Sequence, residues 1–428
     1  MKNMVSLYYC GVKKLTINYD NDDPSSVNEC PLSGSFKAEL SLREGRFLKE
    51  FCILIHQDHD VRFRAESPTR LIIYDENYPE TFVEGFHDEE SVRKMEYRDF
   101  GDTGMKVSVL SMGCAGIAPG TYRITNEEES IKTVQTAIRN GINFLDVAPW
   151  YGFGTCEVVL GKALEGIPRK AYYIATKVGR YKPQILQMFD FSAERTFQSV
   201  EESLEKLQVE YIDVIQVHDV EFSSSLDIVV KETLPALKKL QDVGKVKFIG
   251  ITGLPPTTLH DLYKRSTIKI DSVLCHCHHS LVNTEFNKYV DEYKENGTAS
   301  INAAVLCMGL LTELGPMDWH PAHPEIKQAC RDAIAYCQER DVDISRIATY
   351  YSLETFKGAT SLIGFAEINL LRKILDILYN KINEREKGVL KEIIEKFMQP
   401  LTVNNWEDIE LQTYWSKYKT ALKESTLL

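Results

Sequence analysis

No glycine-rich phosphate loop is present in this chain of 428 residues: neither a GxGxxG nor a Walker A pattern follows its first strand candidate. An open nucleotide-binding sheet therefore loses the backbone amides with which it would cradle a diphosphate. The N-terminus, MKNMVSLYYCGVKKL, lacks the apolar run of a signal sequence or a membrane span. Basic clusters are missing too. With 50 Lys and Arg against 62 Asp and Glu the formal net charge is −12, which would repel nucleic acid and anionic membranes. The 10 cysteines have no repeating spacing and give no sign of a disulfide framework. These absences predict a cytoplasmic protein of the reducing cytosol, with no nucleic-acid or membrane partner.

What is present is a regular alternation. Residues 1–95 form an extension, β-rich or partly disordered: short apolar alternations at Val61 and Phe63 and from Leu71 to Tyr74 sit among Asp, Glu, Pro and Ser. From Met95 onward, apolar strand-like runs alternate with stretches of helical period. The strand candidates are VSVLSMG (107–113), INFLDVA (142–148), YYIATKV (172–178), YIDVIQVH (211–218), VKFIGIT (246–252), DSVLCHC (271–277), ASINAAVL (299–306) and ATSLIGF (359–365). Helical stretches fall between them, for example Glu127 to Asn140, Ala193 to Leu207, and Val229 to Val243 before Gly244. Eight such units predict an α/β fold, a closed (β/α)₈ TIM barrel over 96–385, with a C-terminal helical tail over 386–428.

Active sites of such barrels are built where strands end and their following loops begin. Asp146 ends the second run inside FLDVAPWYG, Tyr151 follows it, Lys177 ends the third and His218 the fourth. Together they make a proton-transfer unit. A phenol is a poor acid or base near neutrality unless a neighbouring ammonium favours the phenolate. Lys177 supplies that ammonium, Asp146 the anion that offsets its burial, and His218 a hydrogen bond that orients a substrate oxygen. Singly, each has a plain structural reading as a loop cap, solvated strand end, rim histidine or packing ring. Four at successive strand ends do not.

These stretches, with YRDFGDTGMKVSVLSMG (97–113), GKVKFIGITGLP (244–255) and MGLLTELGPMDWHPAHPE (308–325), resemble the aldo-keto reductases and, among them, the L-galactose dehydrogenase-like branch. The resemblance spans about 96–385 and puts the family's catalytic tetrad on Asp146, Tyr151, Lys177 and His218. It implies an NAD(P)-dependent oxidation of an aldose at its anomeric carbon to an aldonolactone. It also implies cofactor contacts from Thr252, His276, Ala304, Leu306, Met308, Gly364, Phe365, Ala366 and Lys373. Several of these depart from the family pattern: Thr252 and Gly253 replace Ser-Asn, His276 replaces Gln, and Ala304, Val305 and Leu306 replace Ser-Pro-Leu. Phe365 and Leu370, with Glu367 nearby, stand where cations would bind an NADP 2′-phosphate, so NAD is favoured; Arg372 and Lys373 keep NADP open. The altered positions also leave open a non-catalytic or weakly active nucleotide-binding barrel that acts as a sensor or interaction protein. The barrel is expected as a monomer or weak homo-oligomer.

The run Cys275, His276, Cys277, His278, His279 contains zinc-ligand types, but strand alternation sends its members to opposite faces, and no metal site is expected. Cys114 reads as a packed thiol. Trp406, Leu411, Tyr414, Trp415 and Tyr418 have roughly helical spacing and read as a helix packed on the barrel exterior, with a flap over the substrate mouth as the other option.

Overall fold

A computed structural model describes residues 78–119 and 126–425, together with six earlier strand segments. The chain divides into two compact units, Met1–Glu80 and Thr81–Leu428. In the first, three antiparallel pairs are described: Lys2–Tyr8 with Lys14–Asp20, Leu42–Arg43 with Arg46–Phe47, and Val61–Ser67 with Arg70–Asp75. The expectation of partial disorder in the extension falls on residues outside the described ones. Residues 81–95, grouped by composition with the extension, belong to the second unit, where Val92 and Met95 are buried.

In the second unit, eight parallel strands close into a barrel. They are β1 (Leu110–Gly113), β2 (Phe144–Asp146), β3 (Tyr173–Val178), β4 (Ile212–Val217), β5 (Val246–Gly253), β6 (Ser272–His276), β7 (Ala299–Ala303) and β8 (Thr360–Gly364). The outer ring comprises α1 (Glu127–Arg139), α2 (Thr155–Leu164), α3 (Ala193–Leu207), α4 (Leu234–Asp242), α5 (Pro256–Arg265), α6 (Asn287–Glu295), α7 (Pro324–Gln338), α8 (Ile344–Thr355) and α9 (Ile368–Asn380). The tail adds α10 (Glu384–Ile393) and α11 (Glu407–Ser425). Side-chain caps start several of these: Asn126 accepts from Glu129 N at 3.1 Å and Ser192 from Arg195 N at 3.3 Å. No helix among the described residues is long and apolar enough to cross a membrane.

Two strand candidates overrun their barrel strands for a visible reason. Val107 belongs to a separate hairpin, Tyr97–Asp99 paired with Lys106–Ser108. Its apolar residues Phe100, Met105 and Val107 fill the barrel floor beside Phe144, so an apolar alternation there reflects a plug and not a barrel strand. The seventh run ends at Ala303 because Ala304 turns left-handed, with φ of 56°.

Candidate active site

Period-two alternation sends every second strand side chain into the barrel. On β2 these are Phe144 and Asp146; on β3 Tyr173, Ala175 and Lys177; on β4 Val214 and Gln216, followed by His218. The apolar members fill the interior, and the polar ones emerge at the C-terminal end. Asp146 and Lys177 are 2% and 1% exposed, and the Lys177 ammonium donates to Asp146 Oδ1 and, at 2.9 Å, to the Val147 carbonyl. Tyr151 opens a short 3₁₀ turn (Tyr151–Gly154) that curls back over this pair. That turn requires glycine at 152, where φ is 55° and a Cβ would press on the Pro119 carbonyl at 2.7 Å.

The tetrad converges. Lys177 Nζ lies 4.9 Å from the Tyr151 ring centre, and the Tyr151 and His218 rings meet edge to face at 5.8 Å and 87°. Burial pushes the His218 imidazole down to about 3, against the opposing pull of the Asp219 carboxylate, so it is neutral at physiological pH. Its Nε2 lies 3.6 Å from Asp219 Oδ2, while Nδ1 is buried without a hydrogen-bond partner among the described residues. A neutral imidazole carries one donor and one acceptor nitrogen.

Comparison with known proteins gives the family. The aldo/keto reductase family profile matches residues 110–395. The chain belongs to the aldo/keto reductase family. It is 42% identical over 281 residues to an L-galactose dehydrogenase of Arabidopsis thaliana, covering 64% of this chain and 86% of the relative. It is 31% identical over 312 residues to a D-arabinose 1-dehydrogenase of Saccharomyces cerevisiae, covering 68% and 90%. An aldo-keto reductase of Bacillus halodurans in its holo form shares the fold, with TM-score 0.56 and 24% identity over 70% of this chain and 96% of that one.

This aldo/keto reductase is a nicotinamide-dependent enzyme by family. Gly113, Ala303 and Gly364 take the inward positions at the ends of β1, β7 and β8, three adjacent strands, and Gly113 stands in register beside Asp146. At the mouth those three strand ends are nearly bare, whereas β2 to β6 end in or next to Asp146, Lys177, His218, Thr252 and His276. Around it stand Thr252, His276, Ala304, Leu306, Met308 and Gly364, at or just beyond the ends of β5 to β8. Burial holds His276 down to about 4, so it too is neutral. Ala304, Cys307 and Met308 all have left-handed backbone, at 56°, 49° and 50°. Such strain in non-glycine residues concentrates at functional loops.

The other expected cofactor residues are placed differently. Alternation after Gly364 turns Phe365 outward into the core with Leu371 and Ile374, and the Ala366 carbonyl accepts from Thr133 Oγ1 at 3.2 Å. Lys373 is exposed on α9. The Cys-His run disperses. Cys275 contacts the Leu254 carbonyl at 3.3 Å, Cys277 is buried, His278 meets Glu407 at 2.8 Å, and His279 bonds Asn287 at 2.7 Å and Thr355 at 3.1 Å. Cys114 is fully buried, and burial pushes its thiol well up, out of nucleophilic range.

Three further residues belong to the site. Arg180 donates to Asp219 at 2.6 Å and stacks 4.2 Å over the Trp150 ring; Gln216 donates to Asp146 Oδ2 at 2.7 Å. Arg180 and Asp219 lie in KVGRY and QVHD, directly after the strands that carry Lys177 and His218, and Gln216 shares the inward face of His218 two residues earlier.

The tail corrects the expectation of exterior packing. Trp406 meets the His320 ring at 5.1 Å, Glu410 approaches Arg180 at 3.8 Å, and Tyr414 packs on Phe189 and Phe222 at 5.1 and 5.3 Å. All four partners come from loops after β3, β4 and β7, so α11 crosses the mouth side. Tyr414→Ala is expected to cost about 3 kcal/mol by loss of a buried ring and to raise KM for the substrate severalfold with less effect on kcat. An unchanged KM removes α11 from the substrate's path.

Proposed function

We propose that the chain oxidises an aldose at its anomeric carbon to the aldonolactone, with NAD as the favoured hydride acceptor. The observation that carries this reading is the buried Asp146–Lys177 pair beneath the Tyr151 ring, with neutral His218 at its edge. The relatives' names, L-galactose dehydrogenase and D-arabinose 1-dehydrogenase, point to an aldose.

A bound nicotinamide supplies the hydride acceptor. The chain's residues handle the proton. Tyr151 takes the hydroxyl proton of the anomeric centre, Lys177 stabilises the phenolate that this requires, and Asp146 offsets the buried ammonium. His218 holds the same substrate oxygen and fixes its angle. The preference for NAD follows from α9: Leu370 is 41% exposed in its first turn, and Glu367 precedes it, where a 2′-phosphate would need cations. Arg372 and Lys373 are the exposed cations that NADP would have to use. We place the enzyme in the cytosol as a monomer or weak homo-oligomer; the seven described cysteines are free thiols, which suits a reducing compartment.

Purified protein is expected to reduce NAD with L-galactose, L-fucose or D-arabinose, and to use NADP at least tenfold less efficiently in kcat/KM. A panel of sugars assayed at 340 nm with both cofactors checks this. Silence with every aldose, or a preference for NADP, overturns the corresponding half of the reading.

A further inference from the structure

Gln216 is fully buried, lies outside the set that handles the proton, and bonds directly to one of its members. From β4 it reaches across β3 to Asp146 on β2, where its Nε2 donates to Oδ2 at 2.7 Å. The other carboxylate oxygen, Oδ1, receives the Lys177 ammonium.

We propose that Gln216 is a positioning residue for the reaction: it fixes the plane of the Asp146 carboxylate and thereby keeps the Lys177 ammonium under the Tyr151 ring. The inference rests on the reading of the tetrad given above.

Three physical arguments support it. First, a carboxylate held at one oxygen by a flexible ammonium still turns about its Cβ–Cγ bond, and a donor on the second oxygen stops that turn. An ammonium is a compact point donor, whereas a planar amide imposes direction. Second, the amide is costly where it stands. Its Oε1 is buried with no hydrogen-bond partner among the described residues, a burden of about 1–3 kcal/mol. A leucine would suit an interior lined by Val214, Leu274 and Leu362, so packing alone does not account for an amide. Third, the neighbouring strand makes room. At position 250 of β5 a Cβ would overlap Ser272 Oγ and crowd Gln216 Cγ at 3.1 Å, and glycine leaves that space open.

Charge explains why an amide and not an acid occupies the position. A glutamate would place a second anion against Asp146 and compete for Lys177, whereas glutamine donates without adding charge.

Steady-state kinetics of Gln216→Leu and Gln216→Glu across pH 5–10 test the proposal, with thermal unfolding run alongside. In Gln216→Leu, kcat is expected to fall about tenfold with KM within twofold, and the acid limb of kcat for aldose oxidation to move up by about one pH unit, because a displaced ammonium favours the Tyr151 phenolate less. Gln216→Glu is expected to retain more activity at low pH, where the new carboxyl still donates, and to lose it as that group ionises. An unchanged kcat and pH profile in Gln216→Leu overturns the proposal. So does a loss of kcat with an unmoved acid limb, which is what a packing role gives. Tyr151→Phe in the same assay separates the two levels: full activity there sinks the tetrad reading itself, whereas an inactive Tyr151→Phe beside a normal Gln216→Leu sinks only the role of Gln216.

Discussion

Tyr151→Phe is expected to lower kcat for aldose oxidation by about a thousandfold, within the range that positioned acid–base groups contribute, while leaving the fold intact. The substitution removes a single oxygen. Its ring continues to rest 4.9 Å from Lys177 Nζ and edge to face with His218, so the packing that orders the turn after β2 survives. KM is expected to change little, because the missing oxygen acts mainly on a proton that moves in the transition state. Parent and variant should unfold at the same temperature within about 2 °C, as expected for a change of a few tenths of a kcal/mol. Turnover within tenfold of the parent would show that Tyr151 does not carry the proton.

Lys177→Met separates stability from chemistry. The pair it breaks is almost wholly buried, and removing one partner leaves the Asp146 carboxylate with Gln216 as its side-chain donor. An uncompensated buried charge costs about 3–5 kcal/mol, which in a unit of this size lowers Tm by about 5–10 °C. Activity is expected to be lost in the same variant. The double variant Lys177→Met, Asp146→Leu is expected to recover most of the stability, since an apolar pair of similar volume suits a buried site, and to recover none of the activity. Thermal unfolding and initial rates on the three proteins check both halves. A single variant as stable as the parent would mean that water reaches Asp146.

The barrel was legible in the sequence because its signal is local. Each strand run is short, apolar and bounded by a turn or by a polar residue such as Asp146, Lys177 or His218, and those bounding residues mark the chemical end of the strand. Gln216 obeys the same alternation and could have been found by it, but an amide does not titrate and draws no attention in a search for acids and bases. Strand ends were less legible where two apolar segments run together. Val107 plugs the floor while Leu110 begins the wall, and only the pairing of Lys106–Ser108 with Tyr97–Asp99 separates them. The place of α11 was legible only as one of two options, and the less favoured one. Trp406 and Tyr414 at helical spacing ask for an apolar surface, and nothing local says whether that surface is the outer ring or Phe189, Phe222 and His320 in the mouth loops. The resemblance set Phe365 among the cofactor contacts, whereas alternation beyond Gly364 turns its side chain into the core, because one residue along a strand reverses direction.

The uneven mouth of the barrel also gives the molecule a handedness. Gly113, Ala303 and Gly364 end three adjacent strands and Asp146, Lys177 and His218 lie at the ends of the next three, so a nicotinamide held over the bare arc would meet a sugar held by Tyr151 from one side. In that arrangement the side of approach would be set by which strands end in residues too small to get in the way.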